Sequence, residues 1–324
     1  MVRIASGSLA LPARLFHAAR MNDLILHHYE LSPYAEKIRL ALGRKGLSWR
    51  SVQTPMVMPK PDHVELTGGY RRVPVLQIGA DVYCDTHCIA RVLDRVAPSP
   101  PLAPLGLETE VHSVSRWAET TFMMVVLAFF GIGGVFPEDF VADRRNTMVP
   151  PGMDLDRVGM MLPTKLLQIR ANLDRLEQML AGGRQFLLGP EPTLADLSAF
   201  HPLMLLAMHE RTAALLKPLR RVPTWMQRVR AIGHGTRSDL DAVDAIAIAR
   251  DASPAKFEGE PVLPDGIALG DPVVVLADEY GSGVVSGTLA ASDLHEIAVL
   301  RETARAGEVI VHFPREEYAV VAVG

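Results

Sequence analysis

Two cysteines among 324 residues, Cys84 and Cys88, are too few for a disulfide framework or a four-cysteine zinc site. Their C-x3-C spacing is neither a CxxC redox pair nor part of a metal set, and two buried thiols suit a reducing, cytoplasmic setting. An excess of positive charge is also missing: 33 Lys and Arg face 37 Asp and Glu, a formal net charge of −4. A general nucleic-acid binder needs a basic face, so nucleic acid is not an expected partner. Long apolar runs are absent too. The longest, Thr120 to Phe136, is interrupted by Gly131, Gly133 and Gly134 and falls short of the ~20 residues a bilayer span requires. It reads as a buried helix, and no membrane association is expected. What the chain has in quantity is apolar surface, with 48% hydrophobic and 22% charged residues. That supports a packed core, excludes wholesale disorder and, at this length, predicts two or three modules.

The first twenty residues contain Arg3, Arg14 and Arg20 and no acid, yet lack a continuous apolar core and a clear cleavage signal. Residues 1–22 therefore read as a poorly ordered tail, with Met21 just ahead of a strong strand pattern. At the other end the charge changes sign. Residues 255–324 carry 4 basic and 12 acidic side chains, against 29 basic and 25 acidic in the rest. The change falls near Ser253 to Pro264, a Pro-rich stretch, and marks a domain boundary.

Leu24-Ile25-Leu26 is a wholly apolar run of the kind found in buried parallel strands. Ser32-Pro33 then starts a helix, because Ser caps and Pro suits the first turn. Ala35, Ile38, Ala41 and Leu42 keep helical spacing, and Gly46 is placed to end it. Trp49 to Gln53 predicts a second strand and Val73 to Ile78 a third. Gly79-Ala80 turns into Val82-Tyr83-Cys84, and Ile89, Val92, Leu93 and Val96 outline the next helix. The order is βαβ, a connection, a β-hairpin and a helix.

This order resembles the thioredoxin-like half of cytosolic glutathione transferases of the serine type, such as the tau and zeta classes. Ser32-Pro33-Tyr34 stands at the strand-to-helix turn seven residues before Arg39, Val73-Pro74-Val75-Leu76 looks like the family's cis-proline strand, and Asp85-Thr86 occupies the place of its acidic-Ser pair. The resemblance implies that Ser32 donates a hydrogen bond to the glutathione thiolate. It also implies that the Val73 backbone, ahead of a cis Pro74, pairs with the cysteinyl backbone of glutathione. Asp85 and Thr86 would take the γ-glutamyl ammonium and carboxylate, and Arg72, or its neighbour Arg71, the glycine carboxylate. Tyr34 belongs to the same glutathione-contacting set. Each residue has a plainer reading beside this one: Ser32, Asp85 and Thr86 as helix caps, Pro74 as a trans proline at a strand start and Arg72 as solvated surface. His27 and His28 fall near the sulfur position and either could tune it, with a satisfied structural histidine the better reading of each. A cysteine at position 32 would form mixed disulfides; a serine cannot, so disulfide reductase activity is disfavoured.

From Glu108 to Gly235 the pattern is helical throughout, after a stiff proline-rich connection from Ala97 to Pro104. Thr193 and Asp196 form a capping box before the apolar run Leu197 to Met208, a folding motif of the family's second domain. Met123, Met124, Phe129 and Phe130 are candidates for the helix wall facing the sulfur, where a flexible surface suits varied apolar electrophiles. Ser238 to Arg250 reads as a connecting helix. Beyond it, five short strands begin at Pro272, Val284, Glu296, Val309 and Tyr318 and suggest a small SH3-like barrel.

The predicted architecture is thus an α/β thioredoxin-like domain at 23–97, an all-α helical domain at 106–235, a connecting helix at 236–254 and a small β-barrel at 255–324. The resemblance covers 23–235 and implies a homodimeric glutathione transferase with glutathione as co-substrate, no metal, and a small hydrophobic electrophile or peroxide as second substrate. A non-catalytic glutathione-binding or scaffold protein is the alternative. The barrel reads as an accessory interaction or dimer-bracing module, whose removal would leave glutathione binding nearly intact.

Overall fold

The structure, a computed structural model, describes residues 24–148, 159–257, 259–278 and 283–323. The tail at 1–22 lies outside the described residues. Strands β1 (Leu24–His28), β2 (Ser48–Gln53), β3 (Val75–Ile78) and β4 (Asp81–Cys84) alternate with helices α1 (Pro33–Arg44), α2 (Pro61–Thr67) and α3 (Thr86–Val96). β1 runs parallel to β2 and antiparallel to β3, and β4 pairs antiparallel with β3. This is the expected thioredoxin-like arrangement. Ser32 caps α1, the helix ends at Arg44, and Gly46 follows with a φ of 62°.

The helical half comprises α4 (Glu108–Ile132), α5 (Glu138–Met148), α6 (Leu162–Met179), α7 (Leu194–Leu206), the short α8 (Glu210–Ala213) and α9 (Arg221–Arg230). α7 opens with the predicted capping box. Asp196 accepts from the Thr193 N–H at 2.9 Å, from Leu187 N–H at 2.8 Å and from Trp225 Nε1 at 2.9 Å. One buried carboxylate therefore ties α7, the chain before it and α9 together.

The segment read as one helix from Ser238 divides in two. β5 (Thr236–Asp239) adds parallel to the edge of β2, and α10 (Ala242–Arg250) follows. The edge-strand pairing, from Ser48↔Thr236 to Ser51↔Asp239, overrides the helical pattern there. Five strands then follow: β6 (Pro272–Ala277), β7 (Val284–Ser292), β8 (Glu296–Thr303), β9 (Gly307–Pro314) and β10 (Tyr318–Ala322). β6 to β9 form an antiparallel meander, and β10 returns beside β6.

This module does not stand apart. β9 pairs parallel with β4, Asp81↔Ile310 through Tyr83↔His312, so a single ten-stranded sheet runs β10-β6-β7-β8-β9-β4-β3-β1-β2-β5. Side chains alternate across a strand, which splits the sheet's two faces. Leu76 and Tyr83 point into the core shared with the helical half. Val75, Val82 and Cys84 point the other way, into a second core with Leu66, Tyr70, Val275, Val299, Val311 and Phe313. Residues on both sides of the boundary at 255 thus share one hydrophobic core. The approach is close: a Cβ on Gly283, whose φ is 92°, would lie 2.2 Å from the Gly69 carbonyl oxygen. Removing residues 255–324 would therefore expose the β4 edge and half of a core.

Candidate functional site

α1 begins where β1 ends, with Ser32 in extended backbone (φ −72°, ψ 117°) and its Oγ accepting from the Ala35 N–H at 3.2 Å. Pro33 in the first turn has no N–H to satisfy. The acid of that turn, Glu36, is already paired with Arg39 at 2.7 Å and His234 at 3.0 Å. The positive end of α1 is therefore left facing a cleft.

That cleft has a volume of about 530 Å³ and is walled on the thioredoxin-like side by Ser32, Tyr34, Arg72 and Val73. α4 supplies Phe122, Met123 and Met124 to its lining, and Phe136 and Phe140 line it too. The two predicted methionines are thus brought to the site. Phe129 is not: it is buried in the core. Phe130 belongs to α4, but its side chain lies outside the described residues. Tyr34 packs edge-on against Phe122, with ring centroids 4.7 Å apart.

The Val73–Pro74 peptide is cis. Val73 and Pro74 also wall a smaller pocket of about 50 Å³ that shares Tyr34, Arg72 and Val73 with the large cleft. Asp85 and Thr86 meet them there, at the start of α3. Asp85 caps this helix, accepting from the His87 N–H at 2.8 Å, and does so at a φ of 74°. Such left-handed backbone costs a non-glycine residue on the order of 1–3 kcal/mol. The buried Thr86 Oγ1 accepts from Lys37 Nζ at 3.0 Å. Lys37, wholly buried, is depressed by burial and supported by Glu119 at 3.5 Å. Burial tends to raise the Glu119 carboxyl, but His87 at 2.8 Å, Lys37 and Arg116 hold it well below the usual range. The sequence-predicted glutathione residues Ser32, Tyr34, Arg72, Val73, Pro74, Asp85 and Thr86 therefore converge on two adjoining hollows.

Three features escaped the sequence reading. Arg71 lines the large cleft, and its Nη2 donates to both carboxylate oxygens of Asp143 of α5 at 2.6 and 2.7 Å, which ties it to the insert. Lys60, just before α2, lines the large cleft and donates to the Arg71 carbonyl at 3.1 Å. Burial, with Arg144 and Arg71 nearby, lowers its pKa to about 8. Its only sequence signal is a Lys-Pro at a helix start, which reads as surface. The third is the presence of Glu317 and Tyr318, from the C-terminal module, in the wall of the smaller pocket.

The histidines of β1 are structural. Burial lowers His27 to about 4, against its bond to Gln77 at 2.8 Å. Burial and then the Arg39 charge lower His28 to about 4, and its ring bonds Ser51 at 2.9 Å. Cys84 and Cys88 are free and buried, and burial pushes both thiols well up, which keeps them unreactive. Among the described residues no cluster of three or more His, Cys, Asp or Glu is arranged to hold a metal. No helix among them is long and apolar enough to cross a membrane.

Family models for the glutathione S-transferase N-terminal and C-terminal domains match residues 26–101 and 162–230. A solved GST-like protein from Pseudomonas syringae is 40% identical, with 93% of this chain and 100% of that chain covered and a TM-score of 0.76. The chain belongs to the glutathione S-transferase family. The Pseudomonas match covers a larger share than residues 1–250 alone make up, so the likeness extends into the C-terminal β module. A tau-class glutathione S-transferase from mango, at 15% identity and a TM-score of 0.50 over 64% of this chain and 89% of that one, shares the fold. Glutathione S-transferase U4 of Arabidopsis thaliana is 23% identical over 87 residues, which are 27% of this chain. The chain spans 39% of the length of that curated relative.

Proposed function

We propose that this protein is a glutathione transferase that activates glutathione as a thiolate at the N-terminus of α1 and directs it at a small hydrophobic electrophile or a peroxide. The observation that carries this reading is the placement of Ser32 on the wall of a cleft of about 530 Å³ that α4 also lines with Phe122, Met123 and Met124. Ser32 Oγ accepts from the helix backbone, and its own proton is donated to the sulfur. Lowering a thiol pKa by ~2 units requires about 2.7 kcal/mol. A charge-assisted hydrogen bond together with the helix dipole supplies that order of magnitude.

Val73 pairs with the cysteinyl backbone, Asp85 and Thr86 hold the γ-glutamyl end, and the glycine carboxylate lies toward Arg72 and Lys60. The thiolate then attacks an electrophilic carbon held against Met123, Met124 and Phe122, forming a C–S bond as a leaving group departs or as a proton from solvent completes an addition. With a peroxide, two glutathione molecules give one disulfide, an alcohol and water. Catalysis comes from orientation and from stabilising the thiolate. The active species is a homodimer in a reducing, cytoplasmic compartment, a setting that the two free, buried cysteines suit.

The test is the ultraviolet thiolate signal of glutathione titrated with the protein near pH 7. A saturable signal that Ser32→Ala abolishes supports the reading. Saturable binding without thiolate favours a non-catalytic glutathione-binding protein, and no binding at millimolar glutathione refutes both.

A further inference from the structure

The smaller pocket is not built by the two glutathione-transferase domains alone. Its remaining wall is Ala277, Glu317 and Tyr318, from the end of β6, the β9–β10 turn and the start of β10 in the C-terminal module. We propose that Glu317 and Tyr318 are ligand-binding residues of this site, and that Glu317 is a second acid for the ammonium of the γ-glutamyl group. The inference rests on the glutathione reading above and extends it to a part of the chain that neither family model covers.

The turn is anchored on the site from two sides. Arg116 of α4 donates to Glu317 Oε2 at 2.7 Å and makes a second contact with the other carboxylate oxygen. His112, one turn earlier on α4, meets Glu316 at 3.0 Å. Tyr318 directs its hydroxyl at Asp85 Oδ2, 3.5 Å away, while Asp85 Oδ1 is occupied by the α3 backbone. Glu317 itself has a φ of 67°, a conformation a glutamate adopts only where its surroundings impose it.

Charge bookkeeping shows which ligand group the pocket wants. Its lining carries three carboxylates, Asp85, Glu119 and Glu317, and one guanidinium, Arg72. Glu119 is committed to Lys37, His87 and Arg116. Glu317 is committed to Arg116 alone among the ion pairs of the described residues, and Arg116 also holds Glu119 at 2.9 Å. If Glu317 turns toward a ligand, Arg116 keeps Glu119 as its counter-ion. No buried cation is stranded by the exchange, so the carboxylate is free to move. The arriving group must be a cation small enough for a pocket of about 50 Å³, and a primary ammonium beside Asp85 meets that description.

The test compares glutathione with its deamino analogue, glutaryl-cysteinyl-glycine, by calorimetric titration of the full-length protein. The unaltered protein should bind glutathione at least tenfold more tightly than the analogue. Glu317→Gln should weaken glutathione about tenfold, the scale of a lost charge-assisted hydrogen bond, and change the analogue less than twofold. Glu317→Asp, which keeps the charge, should recover part of the preference. Equal weakening of both ligands by Glu317→Gln would make the residue merely structural and overturn the proposal. So would unchanged glutathione binding, or an unaltered protein indifferent to the amine; that last measurement stands even where a variant fails to fold. Failure of the unaltered protein to bind glutathione at all would instead sink the glutathione reading, and this inference with it.

Discussion

His312 is the most heavily loaded ionisable group at the seam between the module and the thioredoxin-like sheet, and it makes stability depend on pH in a calculable way. It lies on β9, directly opposite Tyr83 of β4, on which its ring stacks at 4.3 Å. Its Nδ1 meets Glu296 of β8 at 2.7 Å and its Nε2 meets Asp81 of β4 at 2.9 Å. Two carboxylates on opposite ring nitrogens require both to carry protons, so the ring is an imidazolium. Burial opposes that charge, but Asp81 and Glu296 overcome it and raise the pKa to about 9, from 6.5. The same contacts, with Arg95 at 3.1 Å, hold Glu296 at about 2 against its own burial, and they count once.

A pKa raised on folding contributes stability that is complete below 6.5 and is lost as pH climbs through 9, because in that window the folded chain holds the proton and the unfolded chain does not. At 1.36 kcal/mol per unit, and allowing for partial titration at both ends, the loss between pH 7 and pH 9 is roughly 2 kcal/mol. Urea unfolding of the wild type and His312→Gln at pH 7, 8 and 9 isolates this contribution, since other groups cancel in the difference. The variant should be less stable at pH 7, and the gap should narrow by that amount at pH 9. A gap constant over the range would mean that the ring is neutral in the folded protein and would refute the imidazolium.

The acid arm has the opposite sign. His27 and His28, held to about 4, and His63 and His201, held to about 3, are neutral through burial, so their contribution is present above 6.5 and lost as pH falls toward those values. Melting temperature should therefore drop steeply between pH 6.5 and 4.5; a flat profile would refute the burial of these rings. Asp196→Ala should cost about 3 kcal/mol or more in urea unfolding, because it strands the Leu187 and Thr193 N–H groups and Trp225 Nε1; a loss under about 1 kcal/mol would contradict the network. Gly283→Ala combines a φ of 92° with a clash against the Gly69 backbone, so it should lower the melting temperature by several degrees, and an unchanged value would place the module elsewhere. Truncation after residue 254 should give an insoluble or molten chain by near-ultraviolet circular dichroism; a native-like spectrum would show that the shared core is dispensable.

The sequence was most legible where one residue type answers a local need of the backbone. Ser32 ahead of Pro33, and Thr193 three residues before Asp196, mark helix starts because side chains there replace missing hydrogen bonds, and both start where expected. Short apolar runs between turns likewise marked the five C-terminal strands to within a few residues. Such a run states that a segment is a strand; it is silent about what lies at its edge. Nothing local in Gly307–Pro314 says that β9 will pair with Asp81–Cys84, more than two hundred residues earlier in the chain, and a five-strand run read alone looks self-sufficient. Ser238 shows the converse error, where an edge pairing with β2 prevailed over a helical pattern.

The hidden edge also explains why the site was read only in part. Residues 32 to 86 identify themselves through caps and turns, but Glu317 and Tyr318 in isolation are an acid and an aromatic at the start of a final strand. They become site residues because β9 binds β4, which brings the β9–β10 turn over the start of α3, the segment that follows β4 in the chain. The signal available in the sequence was indirect. Gln77, Asp81, Glu296 and His312 are buried polar residues within strands, and buried polar groups must be answered by partners. Asp81 and His312 answer each other across the β4–β9 junction. Two unexplained polar residues in two strands are a weak clue to which edges join, but an electrostatic one, and here it points to the edge that carries the C-terminal module onto the site.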